Sequence, residues 1–79
     1  MSDYTPIDCS LHSEYERAIM RQHKLHLSWE DVEGQMHLEN VTPTDLVVRQ
    51  HEEFLLVRRQ NQQMCELRLD RIRSVDALR

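Results

Sequence analysis

Between Leu11 and Gln22 the inward-type positions recur at helical intervals. Leu11, Tyr15, Ala18 and Ile19, continued by Gln22, form one narrow stripe, with Glu14, Arg17 and Arg21 away from it. The spacing predicts a helix over 11–23. Ser13-x-x-Glu16 has the form of a capping box, in which each side chain satisfies an orphan amide of the other residue. A helix started there places Glu14 and Glu16 in its first turn and Arg21, His23 and Lys24 near its end, so that both ends complement the macrodipole. Ahead of it, residues 1–10 carry Pro6 and no period, which predicts an extended arm.

From Lys24 the period changes to two. Leu25, Leu27 and Trp29 alternate with His26 and Ser28, the pattern of a half-buried strand. Glu30 to Gly34 reads as a turn, with the one glycine of the chain suited to a positive φ. Met36 and Leu38 then alternate with His37 and Glu39. Pairing Glu30 with Gln35 sets Trp29 opposite Met36 and Leu27 opposite Leu38 on one face. Thr42-Pro-Thr interrupts the run. A third strand is expected over Leu46–Arg49, a fourth over Phe54–Arg59 after the turn His51-Glu-Glu, and a fifth through Cys65, Leu67 and Leu69. Leu55, Leu56 and Val57 do not alternate, as in a strand covered on both faces. Gln60-Asn-Gln-Gln is a polar hairpin loop, and a brief last strand or turn is expected around Ile72–Val75.

These elements predict a mainly β fold with one N-terminal helix: a small antiparallel barrel of five to six short strands over 24–76. The whole of 1–79 is expected to be a single domain, since so short a chain has no room for a second core. Barrel closure removes the edges that invite aggregation. The pattern alone does not separate Sm-like from OB barrels.

Charge refines the picture. Residues 1–45 hold nine acids and three bases, net −6, and residues 46–79 hold five acids and seven bases, net +2. An acidic half repels a phosphate backbone and suits a cationic protein surface, although such charge also serves solubility. No apolar run approaches the ~20 residues of a membrane span and no signal segment opens the sequence, so a cytoplasmic protein is expected. Cys9 and Cys65 match no metal or redox spacing and are expected as reduced thiols, a Cys9–Cys65 disulfide being the other reading. His23 and His26 are three apart, a spacing that on a strand sends side chains to opposite faces, and no metal site is expected.

Catalysis finds no support in the pattern. One glycine excludes a glycine-rich phosphate loop, and no nucleophile motif surrounds any serine or cysteine. Glu52-Glu53 sits at a predicted turn, where both carboxylates are solvated. The aromatics are Tyr4, Tyr15, Trp29 and Phe54; Trp29 and Tyr15 lie on inward faces, too little remaining for a base-stacking platform. No enzyme and no cofactor are expected.

Four ordered stretches carry a family likeness: Tyr4-Thr-Pro-Ile-Asp-Cys9; Ser13 to Ala18; Thr44-Asp-Leu-Val47 with Glu53-Phe-Leu-Leu56; and Glu66-Leu-Arg-Leu-Asp70 followed by Ile72. Together they resemble the Rof family, small bacterial inhibitors of the transcription termination factor Rho. The resemblance implies an Sm-like barrel carrying an N-terminal helix. It also implies a protein that binds the N-terminal RNA-binding domain of Rho and blocks RNA capture, giving antitermination. Carried over, the family's contact helix falls on residues 12–17, so that His12, Ser13, Glu14, Glu16 and Arg17 are implied partner-binding residues. Relatives carry an aspartate near Ser13 and an aromatic near His12; here Glu14 and Glu16 supply the charge. The loop Gln50-His-Glu52 adds Gln50 and His51. The implied partner is Rho, with no direct nucleic acid, no membrane and a free monomer. Two alternatives are an Sm-like protein acting directly on RNA, which the acidic balance disfavours, and a subunit without a regulatory role.

Overall fold

The computed structural model describes Ile7 and residues 9–77, the last by its backbone alone. The element order is a helix α1 (Cys9–Arg21), strands β1 (Leu25–Glu30), β2 (Met36–Arg49), β3 (Glu52–Arg58) and β4 (Met64–Arg68), a short 3₁₀ turn (Leu69–Arg71), and β5 (Ile72–Ala77). The mainly β fold with one N-terminal helix is as the sequence predicts. All pairings are antiparallel, in the order β4-β3-β2-β1-β5. Five strands thus form one sheet with β4 and β5 at its ends; no ladder joins those ends among the described residues.

The helix starts earlier than its stripe suggests. Cys9 and Ser10, expected in the arm, are helical, and most of the remaining arm lies outside the described residues. Ser13 is therefore interior and cannot act as a cap; the first turn holds no acid among the described residues, so Glu14 and Glu16 stand mid-helix. The capping-box expectation fails because a Ser-x-x-Glu spacing carries no information about where the backbone bonds begin. At the other end, His23 N donates to Ala18 O (3.0 Å) and Gln22 N to Ile19 O (3.2 Å), while Gln22 takes φ 54°. This is a Schellman motif with glutamine in the left-handed position that glycine usually fills.

Turn geometry, rather than hydrophobic alternation, sets the register of the first hairpin. Gly34 N donates to Asp31 O (3.0 Å), Gly34 has φ 83°, and Asp31 N donates to Gln35 O (2.9 Å). A three-residue loop ending in a left-handed glycine makes Asp31 and Gln35 the closing pair. Glu30 then pairs with Met36 and Trp29 with His37, one residue from the predicted register. A shift by one reverses every side chain of the strand. Met36 and Leu38 consequently face solvent (56% and 68% exposed). His37 stacks on Trp29 (centroids 5.3 Å apart) and bonds Asp31 Oδ2 at 2.7 Å, and Glu39 accepts from Arg59 at 2.8 Å, so the inward polar positions are partnered.

The second correction concerns Pro43. It does not end a strand; β2 runs through it, and the ladder with β3 shifts between Pro43 and Asp45. A bulge is where a residue without an amide proton fits a ladder. Thr44, unpaired there, donates its hydroxyl to Leu56 O at 3.2 Å. The expected strands of residues 36–39 and 46–49 are thus one bent strand. Its first half pairs with β1 and its second with β3.

Tyr15 and Ala18 from α1 meet Leu25, Leu27 and Trp29, Val41, Leu55 and Val57, Leu67, and Leu69 in one buried cluster. Trp29, 4% exposed, is core as predicted. Both cysteines are free thiols, Cys9 exposed and Cys65 half-buried. Burial pushes the Cys65 thiol above its ordinary range.

Candidate functional site

A groove of about 370 Å³ runs between α1 and the β2–β3 hairpin. Its walls follow from two periodicities. On α1, His12, Glu16, Ile19 and Met20 fall at spacings of three and four, one side of the helix. On the sheet, Leu46 pairs with Leu55 and Val48 with Glu53, which puts Leu46, Val48 and Glu53 on the inward face with Leu55 and Val57. Leu55 and Val57 are buried in the core, whereas Glu53 comes at the start of the strand, beside the helix. Asp45, from the bulge, completes the lining. The groove has an apolar floor and a rim of three carboxylates.

Its polar centre is His12. Nδ1 lies 2.9 Å from Glu16 Oε1, one helical turn on, and Nε2 lies 2.7 Å from Glu53 Oε2, across the groove. No arginine or lysine pairs with Glu16, Asp45 or Glu53 among the described residues. Elsewhere carboxylates meet arginines: Glu39 with Arg59, Glu30 with Arg73, Glu66 with Arg49, and Asp70 with Arg68. Of these pairs, Glu39–Arg59 and Glu30–Arg73 join an acid of the first half to a base of the second, and the other two lie within the second half. At this groove two first-half acids, Glu16 and Asp45, stand beside Glu53 without an arginine or lysine pair among the described residues. A second groove of about 320 Å³, beside Trp29 and Phe54, is lined by both signs of charge, with Glu30 3.8 Å from Arg71 and Glu52 3.7 Å from Arg68.

The structure divides the seven sequence-derived residues. His12 and Glu16 line the groove. Glu14 stands about 200° around the helix axis from Glu16, at 3.6 residues per turn, and so on the other side. There it is exposed and adds a small upward push to the Tyr15 hydroxyl's ionisation. Ser13 and Arg17 are exposed on the outer side of α1 and do not line the groove. Gln50 and His51 form the two-residue turn that closes β2 onto β3, with φ 50° and 67°. That turn lies just beyond the Val48–Glu53 pair that floors the groove. Glu53, Asp45, Met20 and Val48 were missed. A contact joining positions 41 residues apart, as His12 and Glu53 are, leaves no local signal.

Residues 6–79 match the family ROF, described as "Modulator of Rho-dependent transcription termination". The chain belongs to the ROF family. Its four sequence stretches and the helix-then-strands order agree with that membership. No curated protein matches the chain. Among solved structures, it is similar to proteasome accessory factor B/C (PafBC) of Arthrobacter aurescens, with a TM-score of 0.79 at 16% identity. That likeness covers 96% of this chain but only 12% of PafBC, and it is one of fold alone. The ROF chain thus carries a fold shared with a small part of a much longer protein, and a family role in modulating Rho-dependent termination.

Proposed function

We propose that this ROF-family chain binds the N-terminal RNA-binding domain of Rho through the groove face of α1 and the adjoining Gln50-His51 turn. It thereby blocks capture of the transcript and acts in the cytoplasm as an antiterminator. The observation that carries this reading is the cluster of Glu16, Asp45 and Glu53, the first and last sharing His12 and all three lacking an arginine or lysine partner among the described residues. A surface built to hold RNA phosphates is cationic, and such a cluster is complementary to it. The apolar floor gives long basic side chains somewhere to lay their stems. The free chain acts as a monomer and as a regulator, not a catalyst. Direct RNA binding is the weaker reading, since Trp29 and Tyr15 are buried and offer no stacking face.

Immobilised chain, offered the isolated Rho N-terminal domain at moderate salt, should retain it, and added pyrimidine-rich RNA should displace it. A ternary complex containing RNA, or retention of RNA by the chain alone, contradicts the proposal.

A further inference from the structure

We propose that Glu53 is a positioning residue for the binding face: acting through His12, it fixes α1 against β3 and sets where Glu16 stands. The inference rests on the reading that this face meets Rho. Ionised carboxylates only accept hydrogen bonds, and neutral imidazole offers one donor and one acceptor. His12 reaches a carboxylate oxygen with each ring nitrogen, at 2.9 and 2.7 Å. Holding both contacts requires both nitrogens to donate, which is the imidazolium form. The two acids belong to different elements, so the ring is a cationic bridge between helix and strand. The groups facing it are Glu16 on its own helix, Glu53 on β3 and, from β2 in the same groove, Asp45. Tyr15 and Ala18, with Leu11 and Ile19 beside them, anchor the adjoining core-facing side of α1 by apolar contact, and the bridge adds a directional polar tie on the groove side.

Hydrogen exchange of the full chain tests the bridge without Rho, and binding to the Rho N-terminal domain tests its consequence. In Glu53→Gln, α1 amides should exchange on the order of tenfold faster, the worth of a charge-assisted hydrogen bond, while the β1–β2 hairpin keeps its protection. Rho affinity should fall, and Glu53→Gln with His12→Gln together should cost less than the sum of the two alone, because both weaken one bridge. Unchanged α1 exchange in Glu53→Gln, or additive losses in the double variant, overturns the proposal. If α1 loosens as expected while Rho affinity stays at the wild-type value, the bridge stands and the assignment of this face to Rho falls.

Discussion

The hydroxyl of Tyr15 is fully buried and has no hydrogen-bond partner among the described residues. Burial, and secondarily Glu14, push its ionisation well above the ordinary phenol range, so it remains a neutral, unsatisfied donor. An orphaned buried polar group costs about 1–3 kcal/mol. Tyr15→Phe keeps the ring and removes the orphan, and should raise stability by about 1 kcal/mol, read as a higher urea midpoint at unchanged slope. A clear loss of stability would reveal a partner for the hydroxyl. Two carboxylates set the acid limit. Asp31 is held below its ordinary range by the His37 ring and then by the Gln35 and Glu33 amides, and Glu39 chiefly by Arg59. Because their folded values lie below the unfolded ones, their stabilisation is complete above about pH 5 and is lost as pH falls through the unfolded and then the folded values. Urea midpoints should therefore begin to decline only below about pH 5. Glu39→Gln should shallow that decline; an equally steep acid limb in the variant contradicts its assignment to this pair.

At the scale of elements, turns decide what alternation leaves ambiguous. Leu25, Leu27 and Trp29 were legible because a strand with one buried face repeats every two residues. Met36 and Leu38 misled because the same alternation fits two registers, and the glycine loop selected the one that turns His37 and Glu39, half-buried, toward partners. Pro43 misled because a bulge, which no local composition announces, admits proline within a strand. The helix face was legible in Tyr15 and Ala18, but its start was not, so the roles given to Ser13 and Glu14 changed. Of the site, residues on the helix were in reach of the sequence; Glu53 and Asp45 depend on how β2 and β3 pair. The Gln50-His51 turn offers a clean separation of folding from binding. Both residues have positive φ, where asparagine and glycine are at ease and most side chains are strained by roughly 1 kcal/mol each. Replacing the pair with Asn-Gly should stabilise the chain by about 1 kcal/mol. Inhibition of Rho-dependent termination should nonetheless weaken. Full inhibition by the stabilised variant would remove this turn from the interface.

For the whole molecule, the groove brings together three carboxylates, Glu16, Asp45 and Glu53, that have no arginine or lysine partner among the described residues. The net charge of −4 steers weakly; the groove steers by position. Association with Rho should slow markedly between roughly 50 and 300 mM salt, a range over which screening shortens to within a few ångströms of contact, while dissociation changes less. Stopped-flow rates that are flat across that range would contradict an electrostatic encounter.

The claim that the groove side of α1 is the binding face is tested most directly by reversing charges on the two sides of one helix. Glu14→Lys and Glu16→Lys change net charge equally, lie two residues apart, and face opposite ways. Glu33→Lys, exposed in the β1–β2 turn and outside the groove, controls for net charge. Titration of each variant against the Rho N-terminal domain, with folding checked by circular dichroism, should show Glu16→Lys weakened by at least about tenfold, equivalent to about 1.4 kcal/mol, and Glu14→Lys and Glu33→Lys by less than about threefold. Equal losses at Glu14 and Glu16, or a loss confined to Glu14, would place the interface on the outer side of the helix and contradict the account.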